Sequence, residues 1–446
     1  MFCHVNRKDF LRALRAISPL ARNDALLPIL SKALLFLNKS RLFMETTTLD
    51  ASARVFLPVR SWALADVRCA LAPAPLIHFV QRDPSEQLIL ETCNDGTQLE
   101  VTGRITARFA LNPKDPSDWP RRPLGNKHAV YCKFQTPAGV FTQRLQQALY
   151  AVPKRDSRKA LLGVCFSHNS ACKRLRLSAT TGQFGATTTC EMLNVFGGAK
   201  PKVKGALEGM KRQICILPHE SALTLFRLAS LFPNDNARLM FRFSDPYRVE
   251  VAASSDNLSF LLSSKTTDAI YPNLLRVIPR CACWWLRFDL VSFRQALGGL
   301  FAIGSRGSAN RTMVRFRRDP NNAETLSMTY WGDRYRDDEA HTASDSLQVQ
   351  SAGAPTIEGF YMRRDVLERA LAALPRANIQ VTWAIASDYM PTVFVADGFG
   401  EVGGLLLMPP YIKEDPPSYA DAENSDEESD NGGGGDENET AVASEA

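Results

Sequence analysis

Apolar residues return at helical spacing in six stretches of this chain, beginning near Arg7, Pro73, Pro137, Pro218, Asp289 and Arg363. In the third stretch Phe141, Leu145, Ala148 and Leu149 share one face. Gln143, Arg144, Gln146 and Gln147 crowd the other, with no acid among them. The pattern predicts an amphipathic helix with a core side and a side that tolerates phosphate. Between successive helices, and after the last, runs a short alternating segment that ends in a turn, starting at Leu42, Leu88, Leu175, Val249, Leu326 and Val393. A period of two predicts strands, and Asp95-Gly96 and Asp397-Gly398 suit tight hairpins.

The helices begin 64 to 81 residues apart and alternate strictly with those strands. A half-unit of one helix on antiparallel sheet, repeated six times and paired, predicts an α+β protein of three similar domains, each with two helices. Spacing alone leaves coincidence open; the repeated order of elements argues against it. Turn-rich segments at 112–127 and 271–280 mark the breaks, so the expected domains are 1–125, 128–280 and 281–412. No apolar run reaches about 18 residues, and the first residues lack the apolar centre of a signal peptide. The expectation is a soluble, cytoplasmic protein with no membrane partner. Ten cysteines stand singly apart from Cys281 and Cys283, which points to reduced thiols and no metal.

Charge changes the picture. The net +6 divides into −11 over 413–446, where twelve acidic residues face one lysine, and therefore +17 over 1–412. A body this basic points to a polyanion partner, and the acidic tail is too poor in apolar residues to fold alone, so it is expected to be disordered. Two roles stay open for the tail: keeping the protein soluble, or competing with nucleic acid for the body. Lys8, Arg12 and Arg15 lie opposite the apolar face of the first helix, Arg294 interrupts that of the fifth, and Arg363, Arg364 and Arg369 flank that of the sixth. Cations spread over repeated helices fit contact with phosphates rather than readout of bases. The loop with Lys154, Arg155, Arg158 and Lys159 against Asp156 adds to this, although an ordinary surface loop has the same composition. An enzyme lacks its parts: there is no P-loop, no G-x-S-x-G and no HExxH, and the six histidines are isolated. GSRGS at 304–308 reads as a simple loop, and no cofactor is expected.

Several strings then combine. NDALLPILSKALLFL (Asn23 to Leu37), LFMETTTLDASARVFLP and TARFALNPKDPSDWP come first. SRKALLGVCF, LRLSATTG and TDAIYPNLLRVIP follow, and GGLLLMPPYI (Gly403 to Ile412) closes the set. Each could occur by chance, but their order and spacing resemble the bacterial-type DNA sliding clamps, the beta subunits of DNA polymerase III, over nearly all of 1–412.

The resemblance implies the DNA-clamp fold and a head-to-tail homodimeric ring with helices lining the hole. Such a ring holds a polymerase on double-stranded DNA without sequence preference, and in the cell it lies with the nucleoid in the cytoplasm. It also implies partners, namely DNA polymerase, a clamp loader and other proteins with clamp-binding peptides. Their pocket would be Leu161, Thr180, Gly182, Pro272, Val277, Leu406, Met408 and Pro409, with Met390 and Thr392 at a second lobe. Plain core packing is the rival role for each. DNA would be approached by Arg22, Lys154, Arg155, Arg158 and Lys159. Ring closure would use Phe109 and Leu111 on one side and Ala302 and Ile303 on the other, unless Phe109 and Leu111 simply alternate into their own sheet. Gln183, Phe184 and Gly185 replace the His-Arg-Leu-like run usual after Thr180-Thr181-Gly182, and Pro410 and Tyr411 depart as well, which leaves peptide preference open. The alternative is a basic DNA-binding scaffold that never closes into a ring.

Overall fold

The six amphipathic stripes fold as the six long helices seen among the described residues of a computed structural model. It describes residues 2–21, 27–61, 67–112, 114–120, 130–169, 173–182, 184–197, 213–233, 237–244, 247–255, 257–278, 282, 284–302, 313–319, 322, 324–331, 342–352, 359–374, 378–385, 392–397 and 404–407. No helix among them is long and apolar enough to cross a membrane.

One order of elements occurs three times. The first repeat is β1 (Phe2–Asn6), α1 (Arg7–Ile17), β2 (Ala33–Asn38), β3 (Arg41–Thr47), β4 (Ala51–Pro58), β5 (Arg60–Ser61), β6 (Val67–Leu71), α2 (Pro73–Arg82), β7 (Gln87–Cys93), β8 (Gln98–Thr102) and β9 (Thr106–Ala110). A short helix, α3 (Asp115–Asp118), follows. The second is β10 (Val130–Pro137), α4 (Ala138–Leu149), β11 (Gly163–Asn169), β12 (Arg174–Thr180), β13 (Gly185–Glu191), β14 (Leu193–Gly197), β15 (Gln213–Pro218), α5 (His219–Ala229), β16 (Arg238–Ser244), β17 (Arg248–Ser255) and β18 (Leu258–Lys265). The third is β19 (Trp284–Asp289), α6 (Leu290–Ala302), β20 (Met313–Arg318), β21 (Thr325–Trp331), β22 (Thr342–Gln348), β23 (Gln350–Ala352), β24 (Gly359–Arg363), α7 (Arg364–Ala373), β25 (Gln380–Ile385), β26 (Thr392–Ala396) and β27 (Gly404–Leu407).

Within each repeat the strands divide the same way. The fifth, first, seventh, eighth and ninth form a five-stranded run, and the fourth, third, second and sixth form a four-stranded one. The repeats are then joined through sheet. β18 pairs antiparallel with β4, from Ser259 opposite Phe56 to Ser264 opposite Ala51. β27 pairs with β13, where Leu406 faces Gly185. Each joint makes one nine-stranded sheet, leaving β5-β1-β7-β8-β9 and β22-β21-β20-β24 as separate sheets.

Packing explains why the stripes sit where they do. Phe10, Leu14 and Ile17 of α1 and Phe141, Leu145 and Ala148 of α4 are buried, and each such side chain contributes about 1.5–3 kcal/mol if aromatic or large aliphatic. In the second repeat the Phe134 and Phe241 rings stack at 4.9 Å, with Phe141 5.0 Å from Phe241. In the third, Trp383 stacks on Phe394 at 4.6 Å and meets the edges of Phe316 and Phe360 at 5.0 Å. The helices form one layer in the order α2, α1, α5, α4, α7, with α6 tied to α7 by Arg294. The first helix of one repeat therefore meets the second helix of the next at both joints: α1 with α5, and α4 with α7. The expected Asp95-Gly96 turn links β7 to β8, with Asn94 and Gly96 at positive φ (51° and 84°). Gly398 lies outside the described residues.

Candidate nucleic-acid interface and peptide site

Polar positions opposite the buried stripes decide what the helix layer presents. On α1, Lys8, Arg12 and Arg15 are exposed, as are Arg227 on α5, Gln143 and Gln146 on α4, and Arg369 on α7. Arg12 donates to the Leu231 carbonyl at 3.4 Å and Arg227 to the Arg15 carbonyl at 3.2 Å, so these cations also stitch the first joint. The Arg369 guanidinium sits 5.3 Å from the centre of the Phe184 ring, across the second joint.

Four polar residues of these helices turn to partners within the protein instead. Arg144 and Gln147 are buried and bonded to each other at 3.3 Å, with Thr188 donating to Gln147 at 3.2 Å. Burial lowers the Arg144 pKa, against a smaller opposing effect of Cys190. Arg294 donates to the carbonyls of Leu371 (2.6 Å) and Leu374 (2.9 Å), capping the end of α7, where free carbonyls attract a cation. Arg364 is buried, paired with Glu368 at 2.8 Å and lying over the Phe301 ring at 4.7 Å. Arg363 is itself engaged by Asp365 at 3.0 Å. Arg294 turns to acceptors on a neighbouring helix, whereas Arg144 and Arg364 turn to partners one turn along their own helices.

In the basic loop Lys154, Arg155, Arg158 and Lys159 are all exposed, and Arg158 pairs with Asp156 of the same loop. Arg158 donates twice to Asp156, at 3.0 and 2.9 Å, and once to the Thr181 carbonyl at 3.3 Å. Those side-chain bonds, helped by the Arg158 amide, hold the Asp156 carboxyl down at about 2. Arg158 thus leans on Gly182, whose absent Cβ would lie 3.2 Å from its guanidinium. It borders the peptide-site residues rather than the helix face. Arg22 lies outside the described residues.

At the second joint a small apolar cluster forms apart from the main core: Leu161, Cys165, Ile216, Tyr271, Leu274, Ala384 and Val393. Leu161, Thr180 and Thr392 are buried, whereas Pro272 is exposed and Val277 is 49% exposed. Gly182 has φ +96°, and its amide donates to Thr180 Oγ1 at 3.0 Å, so the turn after β12 is fixed by a residue that tolerates that angle. Leu406 lies in β27 beside Gly185 and Val393. Met390, Met408, Pro409 and Gln183 lie outside the described residues. Of the expected residues that are described, Leu161 belongs to this cluster, and Thr180, Thr392 and Leu406 lie on the strands of the joint. Tyr271 and Leu274 of the cluster are both in the YPNLL string, but nothing local marks them as its members. Phe184, a departure from the usual run, stacks on Tyr150 at 5.6 Å and underlies Arg369.

The ring-closure residues lie at the two separate sheets. Phe109, in edge strand β9, is half-buried and packs edge-on to Phe79 of α2 at 6.0 Å; Leu111 is also half-buried. Ala302 ends α6, which packs against edge strand β22; Ile303 lies outside the described residues.

No protein-family profile matches the chain. A beta sliding clamp of Synechococcus elongatus is 22% identical over 362 residues, which are 79% of this chain and 85% of that one. The DNA polymerase III beta subunit of Thermotoga maritima superposes with a TM-score of 0.69 at 16% identity, covering 92% of this chain and 98% of its own. The beta subunit of Bartonella birtlesii bound to griselimycin gives 0.67 at 19%, covering 92% and 99%. Along most of its length the chain is similar to bacterial beta sliding clamps, and its fold is the sliding-clamp fold.

Proposed function

We propose that this chain is a DNA sliding clamp, a non-catalytic processivity factor for a replicative DNA polymerase that works as a ring of two copies around duplex DNA. The pair of open sheets carries the reading. In the two joints within the chain, the ninth strand of a repeat pairs with the fourth strand of the repeat before it. β9 is a ninth strand and β22 a fourth strand, and each ends its own sheet. Pairing β9 of one copy with β22 of another would build a third nine-stranded sheet and bring α6 against the other copy's α2. Because the two surfaces differ, the contact is heterologous, and two of them close two chains into a ring.

The three repeats, at 1–125, 128–280 and 281–412, then become six units around the hole. Phe109 and Leu111 face Ala302 and Ile303 at each closure. Lys8, Arg12, Arg15, Arg227 and Arg369, with Arg22, Lys154, Arg155 and Lys159, meet phosphates without reading bases, which permits sliding. Arg158 guards the site of Leu161, Thr180, Gly182, Pro272, Val277, Met390, Thr392, Leu406, Met408 and Pro409. That site would take the apolar anchors of an extended peptide from a polymerase, a clamp loader or another partner. The place of action is the cytoplasm, on the nucleoid.

Topology supplies the test. Protein loaded on nicked circular DNA should stay with it through gel filtration in about 0.5 M salt, where phosphate contacts alone fail, and should leave once the circle is cut. Loss from circle and linear DNA at the same rate would sink the ring and favour a basic scaffold.

A further inference from the structure

We infer that the acidic segment 413–446 is a ligand of this chain's own basic helix face, occupying in cis the surface proposed to meet DNA. The inference rests on that proposal for its consequence and on four observations for its substance. First, the described chain ends at Leu407, one residue past Leu406, which pairs with Gly185; the neighbouring Phe184 ring carries the Arg369 guanidinium at 5.3 Å. The segment begins six residues after Leu407, so its start lies within about 22 Å of that strand end at full extension.

Second, the reach suffices. From α7 to α1 there are three helix-to-helix steps, through α4 and α5, or about 24–30 Å at ordinary packing distances. An extended chain covers at most about 3.6 Å per residue, so Glu414 lies within ~25 Å of Leu407 and Asp421 within ~50 Å. The run from Asp421 to Asp430 can thus lie over α4, α5 and α1.

Third, the charges are complementary. Lys8, Arg12, Arg15, Arg227 and Arg369 are exposed, while α4 contributes Gln143 and Gln146 and no acid. The same helices carry Asp9 and Glu220 in first turns, while Asp365 and Glu368 are paired with Arg363 and Arg364, which leaves the cations in excess. Against this the segment brings a net −11.

Fourth, tethering sets the competition. A covalently attached ligand acts at an effective concentration in the millimolar range when its length matches the span. Phosphate contacts that are individually weak, as sliding requires, are then displaced until the duplex supplies enough of them together. Screening within about 8 Å at physiological salt makes the effect strongest at low ionic strength.

The test uses the full chain, a chain ending at Ile412, and a full-length variant with Asp421→Asn, Glu423→Gln, Asp426→Asn, Glu427→Gln, Glu428→Gln and Asp430→Asn. Affinity for a fluorescent linear 30-base-pair duplex is read by anisotropy in about 25 to 300 mM salt. Both altered chains should bind on the order of tenfold more tightly than the full chain at the low end, with the gap closing at the high end. Superimposed curves would overturn the inference. Carboxylate-to-amine crosslinking of a mixture of heavy and light protein should join the segment to Lys8 within one copy. Links between copies, or to Lys133 on the outer sheet instead, would overturn it as well. If none of the three proteins binds the duplex at any salt, the segment has no DNA contact to oppose and the inference is overturned, while the clamp reading stands or falls on the circle test alone.

Discussion

The joined strands β4 and β18 and the open strands β9 and β22 occupy equivalent places in their repeats but carry different residues. In the joint, Ala53, Val55, Phe260 and Leu262 are almost wholly buried and hydrogen-bonded sheet continues past them. In β9, Thr106, Arg108 and Ala110 are exposed and Arg108 is paired with Glu100 at 2.6 Å; in β22, Ser344, Asp345 and Ser346 are exposed. An edge strand is a template for pairing with anything, and short strands with charges are how proteins restrain it. The contrast separates a joint completed within one chain from two edges that the chain leaves unpaired.

The comparison can be broken from either side. Leu262→Ala removes a fully buried side chain from the joined sheet and should cost about 2–5 kcal/mol, read from urea unfolding; a loss below ~1 kcal/mol would mean the joint is not a core. Phe109→Asp at the open edge should instead leave folding largely intact and weaken self-association by at least about a hundredfold, because a carboxylate cannot be buried unpaired. Sedimentation matching the parent would show that β9 is not the contact.

A finer test concerns what holds β9 in place. The buried Asp83 carboxylate accepts from the amides of Ser85 (2.8 Å) and Ile105 (3.1 Å), pinning the turn before β9. A Cβ on Gly103 would lie 2.5 Å from it, so that turn needs glycine for close approach. Burial raises the Asp83 pKa, but the hydrogen bonds from Ser85, Ile105 and Arg104 outweigh it and the net shift is downward. A lowered carboxylate pKa gives stability that is full above the ordinary aspartate value of about 3.9 and is lost as pH falls through the folded value. Asp83→Asn should therefore cost about 1–2 kcal/mol at neutral pH, and the gap should shrink below about pH 4. A gap independent of pH would show that the carboxylate's charge plays no part. The smallest effect belongs to Lys265 and Asp50, an exposed pair at the rim of the joined sheet. Lys265→Ala should change thermal stability by less than about 0.5 kcal/mol.

The helices and one strand of each half-unit were legible because a stripe of period 3.6 or 2 is a local property. The joints were not, since β4 meets β18 some two hundred residues later and nothing in either strand names its partner. Strands such as β16, with Arg238, Met240 and Arg242 alternating with buried Leu239, Phe241 and Phe243, carry the pattern in a charged form that lies outside the six alternating segments. The inward arginines depart from expectation for a related reason. The pattern of α4 and α6 gives their outward angle, while the acceptors that hold Arg144 and Arg294 lie on neighbouring residues and on α7. For the proposed peptide site, Thr180 and Gly182 came from the family resemblance alone, and the cluster of Tyr271 and Leu274 with Ala384 and Val393 exists only where the second and third repeats meet.

The order of repeats has one further consequence. Ninth strand always meets fourth strand in the same sense, so every unit of a closed assembly points the same way round. A closed loop of such units has two unlike rims. In the proposed ring of two copies the turn after β12, with Gly182 and Arg158, would sit at the corresponding place in each, so both proposed peptide sites would open toward the same rim. A partner docked there would travel on one side of the loop only, and the direction of threading would fix which way along the duplex it faces.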